Sequence, residues 1–446
     1  MKKPVLIGVL VLGGTLCLGA SSASSGPSFA APRSYPAGLD PVEVAVGDLN
    51  ADGKPDLATA NYASGTLSVL LNGGNGSLGA KVDYQAGSRP TSVAIGDVNG
   101  DGKTDLVTGN DAMVGRFPTS NVAVLVNRGD GSFAARVDYP IGPGHGLASV
   151  AVGDLNGDGK LDVAAIDEGH ESVSVLLNSG NGGFQLPVAY ATGSLPQSVA
   201  IGDLNGDGRA DLATANRFGS SVSVLLNSGN GGFQPKVDYA SGSNPQSVTI
   251  GDLNADGKAD LATANAEEST VSILLGRGDG SFSAKVDSGV GRGPASIAIV
   301  DLNGDHKPDL ATANSGASTV TALSNRGDGH VQARTEVRTG SQPVSIAFGD
   351  LNGDGKSDLV TADEGANAVS VLVNTTVSCK VPKVTKKALP AAKRAIARAH
   401  CRVGTMRRTS SRIKRGRVAS QNPKPGTVMP AGGRVNLVVS RGPRHT

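Results

Sequence analysis

Hard oxygen donors recur along this chain at a fixed spacing. The nine-residue pattern D-x-N-x-D-G-x-x-D first appears as DLNADGKPD at Asp48 to Asp56. It returns from Asp97, Asp154, Asp203, Asp252, Asp301 and Asp350. Three carboxylates, a side-chain amide and a backbone carbonyl at alternate positions of a tight loop are donors that suit Ca²⁺. The expected ligand sets are Asp48, Asn50, Asp52, Lys54 (through its carbonyl) and Asp56; Asp97, Asn99, Asp101, Lys103 and Asp105; Asp154, Asn156, Asp158, Lys160 and Asp162; Asp203, Asn205, Asp207, Arg209 and Asp211; Asp252, Asn254, Asp256, Lys258 and Asp260; Asp301, Asn303, Asp305, Lys307 and Asp309; and Asp350, Asn352, Asp354, Lys356 and Asp358. Up to seven structural Ca²⁺ ions are thus expected. The sixth copy carries His306 where the others have Gly. The competing reading is a metal-free Asx-turn between strands. No nucleophile, base and orienting group are specified together, so no catalytic residue is assigned and an enzyme is not expected.

The motif spacings are 49, 57, 49, 49, 49 and 49 residues. Within one period, Val248 to Ile250, Leu261 to Asn265, Thr270 to Leu275 and Phe282 to Asp287 read as four short antiparallel strands. Such a sheet cannot bury both faces alone, and repetition lets each bury its faces on its neighbours. The expected fold is mainly β: a seven-bladed β-propeller followed by a small α+β domain. Phe29 to Tyr35 repeats the pattern of Phe133 to Tyr139, so the N-terminal strand is expected to complete the last sheet and remove open edges. An open solenoid of sheets is the alternative.

These repeats, over residues 29–375, resemble the FG-GAP or VCBS family, whose members include the propeller of integrin α subunits. The resemblance implies a seven-bladed head and an exported binding or adhesion role. The uniform motif loops and the N-x-G-x-G turns fall on one rim. The opposite rim carries the connections that differ between copies, where recognition usually sits on a rigid scaffold. Candidate partner contacts there are Tyr62, Met113, Arg116, Phe117, Arg217 and Phe218, with Asp111 to Ser120 read as a protruding loop.

Composition changes after Asn374. Residues 379–446 hold 18 Lys and Arg and no Asp or Glu, whereas residues 24–378 carry a net charge of −18. Ala388 to Ala399 reads as a helix, and Val403 to Arg407, Arg417 to Ser420 and Arg434 to Ser440 as strands. Residues 379–443 resemble a PASTA domain, through Val381-Pro382, the helix, the run from Ser420 to Thr427 and Val435 to Ser440. That resemblance implies contact with peptidoglycan. Arg407, Arg408, Arg412, Lys414, Arg415 and Arg417 form a candidate anionic contact. Nucleic acid is disfavoured, because no aromatic residues interleave the basic run.

Residues 1–23 read as a signal peptide: Lys2 and Lys3, an apolar run from Val5 to Leu18, then small residues. Removing it leaves no membrane span and two cysteines, Cys379 and Cys401, whose even number in an exported chain points to a disulfide. The expected protein is secreted or wall-associated, compatible with a monomer, and binds peptidoglycan, a glycan or a cell-surface protein. A polysaccharide- or peptidoglycan-processing enzyme and a purely structural envelope protein are the alternatives.

Overall fold

The computed structural model describes residues 26–114, 117–143, 146–180, 182–430 and 432–443. The expected signal peptide lies outside them. Seven four-stranded antiparallel sheets follow one another. In the first, the strands are Pro41–Gly47, Asp56–Asn61, Thr66–Leu70 and Val82–Gln85. The seventh consists of Pro343–Gly349, Asp358–Asp363 and Ala368–Leu372, and its fourth strand is the N-terminal Arg33–Pro36. The pairing Tyr35 to Val369 fixes that register, as the repeated Phe-to-Tyr pattern implied.

The closed seven-bladed β-propeller is corrected. Among the described residues, strand hydrogen bonding stops at the fourth strand of each of the seven sheets, and no sheet closes into a barrel. The outer strands therefore keep free edges, contrary to expectation. Several are protected by shortness and charge: Val82–Gln85 and Val237–Ala240 are four residues long, and Lys81 and Lys236 pair with Asp83 and Asp238 beside them, whereas Val137–Pro143 and Val331–Arg338 are longer. Short, charged edges resist edge-to-edge pairing. The fourth strands also start later than Phe282 suggested. Phe282 makes only an isolated bridge to Gly276, and the strand is Val286–Gly289.

Neighbouring sheets are joined by side chains. Second strands such as Asp211–Asn216 are buried along their whole length, with Leu, Ala and Thr packed between sheets. Small alanines permit the close approach, and each buried Leu contributes roughly 1.5–3 kcal/mol. Ala58, Leu67 and Val69 of the first sheet pack with Val93, Leu106 and Phe133 of the second. Leu57 and Leu70 pack with Val360 and Val371 of the seventh. Tyr84, Tyr139, Tyr190 and Tyr239 each meet the next sheet's Phe edge-to-face, with centroids 5.1–5.3 Å apart. Inside the sheets a buried polar set repeats: Asn216 receives the Thr214 hydroxyl at 3.1 Å and donates to Ser221 and Ser223 at 3.0 and 2.8 Å.

The C-terminal region is α+β. Helix α1 (Leu389–Arg398) buries Ala392 and Ile396, one turn apart, with Pro390 in its first turn where no N–H is needed. A sheet orders Arg402–Thr409, Arg434–Ser440 and Val418–Asn422, its first pair parallel. Cys379 and Cys401 are bonded, 2.03 Å between sulfurs, within a core of Val381, Val384, Val418, Val435 and Leu437.

Candidate functional site

The motif loops are built the same way in every copy. In the fourth, Asp203 accepts from Gly206 N at 2.7 Å and Gly208 N at 2.8 Å, and Asn205 Oδ1 accepts from Asp207 N at 2.9 Å. His306 reproduces the bond of the glycines, donating to Asp301 Oδ2 at 2.8 Å from a left-handed backbone (φ 63°). Lysines of the loops stand on the middle carboxylate: Lys54 to Asp52 at 3.0 Å, Lys160 to Asp158 at 3.1 Å.

The last Asp of each motif does something the spacing did not reveal. Asp211 is fully buried, and its two oxygens accept from Leu204 N at 2.9 Å and Asn227 N at 2.7 Å. It ties the motif loop to the turn after the third strand. Asp56, Asp105, Asp162, Asp260, Asp309 and Asp358 make the same two bonds. Burial pushes these carboxyls above the usual range against the pull of both N–H groups, for Asp309 up to about 7.

The donor types therefore fit a hard cation: Asp, Asn, Asp, a carbonyl and Asp in one loop. Among the described residues, no three acidic groups gather around one point. In the arrangement present, the first, third and fifth positions cap loop N–H groups and the ninth is a brace.

The register puts motif loops and N-x-G-x-G turns on one rim. Asn72 Nδ2 donates to Leu351 O of the seventh sheet at 2.9 Å, and Asn227 Nδ2 to Leu155 O of the third at 2.8 Å. The variable connections lie at the other end, where Pro41 faces Asn61. There Arg89 stands over the Tyr62 ring at 5.8 Å and Arg217 over Phe218 at 5.7 Å, with Phe218 72% exposed. Asp111 to Ser120 is not a loop. It extends the second and third strands of the second sheet as a hairpin, Met113 facing Pro118 and Val114 facing Phe117. Arg116 and the side chains of Met113 and Phe117 lie outside the described part of the structure.

On the same rim a cavity of about 120 Å³ opens among the first strands, lined from all seven sheets. Ser92, Ser149, Ser198, Ser247, Ser296 and Ser345 take the third position of those strands in sheets two to seven, and Glu43 takes it in the first. These side chains cross to the next sheet. Ser345 Oγ accepts from Val44 N at 3.2 Å, Glu43 Oε2 from Val93 N at 2.8 Å and Ser92 Oγ from Val150 N at 3.0 Å. The alignment of Glu43 with six serines was readable in the sequence and was missed.

In the C-terminal region Arg407, Arg408, Arg412, Lys414, Arg415 and Arg417 are all exposed. Arg408 and Arg415 line a cavity of about 540 Å³ together with Arg441, Gly416 and the start of α1 at Leu389 and Pro390. Arg441 lies outside the sequence cluster and joins it because Arg434–Ser440 runs parallel to Arg402–Thr409. Arg407 faces a second cavity with Ser420, Gln421, Asn422 and Asn436, and Arg417 donates to Lys386 O at 2.8 Å.

The family model for the FG-GAP-like repeat matches residues 48–108, 110–165, 154–214, 203–263, 252–312 and 301–361, and that for the PASTA domain matches 380–441. No curated protein matches the chain. Among solved structures, BBS1N in complex with ARL6DN is similar at 13% identity over 78% of this chain and 97% of that one, with a TM-score of 0.55. A putative 6-phosphogluconolactonase from Bacteroides uniformis is 15% identical over 76% and 96%, with a TM-score of 0.51. The periplasmic gluconolactonase PpgL of Pseudomonas aeruginosa is 21% identical over 68% and 86%, with a TM-score of 0.50. At these identities the likeness concerns the fold alone. Among the described residues, no helix is long and apolar enough to cross a membrane.

Proposed function

Because this chain belongs to the FG-GAP-like repeat family and ends in a PASTA domain, we propose that it is an envelope-surface binding module. In this reading the C-terminal domain grips an anionic wall polymer while the variable rim of the sheet array meets a separate partner. The arginine-lined cavity carries the reading. Arg408, Arg415 and Arg441 converge beside the N-terminus of α1, in a region whose sequence holds no acidic residue to neutralise them. Guanidinium groups and helix N-termini both favour phosphate and carboxylate. The Arg–aromatic pairs at Tyr62 and Phe218, in which Arg89 and Phe218 are exposed and Tyr62 and Arg217 half-buried, favour the rim for the second contact, since such pairs present rigid area and charge together. The motif loops would hold structural Ca²⁺ through the donors named above.

The test is cosedimentation of the full chain with a phosphate-bearing wall polymer and with a neutral glycan, at low and high salt. Substituting Arg408, Arg415 and Arg441 together by Gln removes three exposed charge contacts of about 0.5–1 kcal/mol each, so binding weakens roughly tenfold to hundredfold. Equal binding by the variant, or salt-independent binding to the neutral glycan, overturns the proposal.

A further inference from the structure

Glu43 is the one charged residue among those lining the cavity of the first strands. The other strands contribute hydroxyls, side-chain amides and alkyl groups, with no Lys, Arg or His. Protein surrounds the carboxyl, yet part of its surface stays accessible. The hydroxyl of Ser92 and the N–H of Val93 favour its ionised form, and lost hydration outweighs both, raising the pKa to about 7. A serine at this position, as in the other six sheets, would make the inter-sheet bond without this penalty. The carboxylate is therefore in excess of what the fold requires at that site.

An ionised carboxylate in such surroundings is stabilised by a counter-charge, and the residues lining the cavity supply none. Gln197 and Gln246 are already committed at the mouth. Gln197 Nε2 donates to Glu168 Oε1 at 2.7 Å, and Gln246 Nε2 to Asn244 Oδ1. Glu168 adds a second carboxylate there, with Arg217 near it. The space corresponds to about four water volumes. That admits an alkali cation with part of its hydration, or one ammonium group.

We propose that this cavity is a binding site for a single small monovalent cation held against Glu43, either an inorganic ion or the ammonium end of an amine. Serine hydroxyls of the lining, such as those of Ser345, Ser198, Ser247 and Ser296, each accept one N–H and keep an oxygen lone pair to offer the cation. Proton and cation compete for the same carboxylate, so the site fills as pH rises through 7 and empties in acid. It is independent of the arginine cavity.

Two probes separate the sources: methylammonium, followed by calorimetry, and sodium, followed by ²³Na relaxation. Both use the full-length chain with Ca²⁺ in excess, which holds the motif loops constant. One equivalent is expected to bind near pH 8. A carboxyl with a pKa of about 7 predicts affinity about thirtyfold lower at pH 5.5. Glu43→Ser copies the other six sheets and keeps the bond to Val93, and Glu43→Gln keeps the shape. Each should lose at least tenfold in affinity with its melting point at or above that of the parent. Sodium binding alone assigns an inorganic ion, and methylammonium binding alone assigns an amine. The absence of saturable binding by either probe, or unchanged affinity in both variants, overturns the proposal.

Discussion

Replacing Asp211 by Ala separates a structural brace from a metal ligand. The residue is fully buried, and its oxygens accept from Leu204 N and Asn227 N at 2.9 and 2.7 Å. Alanine leaves both N–H groups buried without an acceptor, at about 1–3 kcal/mol each. Part of that loss is offset, because burial already disfavours the carboxylate and lifts its pKa. A net loss of about 2–5 kcal/mol remains. Asp211→Asn keeps one acceptor and turns an NH₂ towards the other N–H, so it should fall between the two at about 1–3 kcal/mol.

The decisive condition is excess chelator. A pure ligand contributes nothing once the ion is gone, whereas a brace still does. The chain has no Trp, so denaturation is best followed by circular dichroism. Repeat arrays can open locally, so hydrogen exchange at the Leu204 and Asn227 amides should be read alongside. Equal stability of Asp211→Ala and parent in chelator, with unchanged protection of those two amides, would refute the reasoning.

His306→Gly relieves a left-handed backbone (φ 63°) and should stabilise by about 1 kcal/mol in urea denaturation. The converse Gly208→His should cost a similar amount, since no atom lies near a Cβ there and only the backbone is strained. Replacing Cys379 and Cys401 by Ser opens a 22-residue closure and should cost the C-terminal domain about 3 kcal/mol, seen as a lower calorimetric midpoint. Glu43 makes stability fall with rising pH. Below pH 4.5 it is protonated folded and unfolded, and between 4.5 and about 7 only the native state keeps the proton. Its penalty, on the order of 3 kcal/mol, is complete above pH 7, so the pH profiles of Glu43→Ser and parent should diverge in favour of the variant when no cation is supplied. Chelation should lower the calorimetric midpoint of the sheet array, and an unchanged melt after confirmed metal loss would remove Ca²⁺ from the motif loops.

The repeat made most strands legible, because a second strand such as Asp211–Asn216 carries the same residues in each copy and its register follows. The number of sheets and the N-terminal strand could be read the same way. Hydrogen-bond closure between sheets could not, since a period counts units without saying whether their edges pair. Residue type also failed at Asp211: a carboxylate that braces two N–H groups and one that binds an ion look alike in sequence, and Asn227 lies 16 residues away. Asp111 to Ser120 was misread because its polar residues and Pro118 suggest a loop, while pairing across the hairpin extends the strands. Arg441 was missed because parallel strand pairing, not sequence distance, brings it to Arg408 and Arg415.

Departures from the repeat are informative in proportion to how poorly the surrounding structure accommodates them. Asp363 replaces the Asn of five other sheets, yet three hydroxyls answer it: Ser370 at 2.5 Å, Thr361 at 2.8 Å and Thr339 at 3.1 Å. That charge is met by donors within the chain, so the fold itself accounts for it. His306 costs backbone strain but keeps the loop bond to Asp301, and its side chain is exposed. Glu43 differs from both. It takes over a serine's inter-sheet bond, brings a charge that bond does not use, and turns it into a cavity whose lining offers no cation. A structural account explains its inter-sheet bond and leaves the charge unexplained. The mouth of that cavity lies on the rim where the connections vary, so the unmatched carboxylate and the candidate recognition surface face the same side of the molecule.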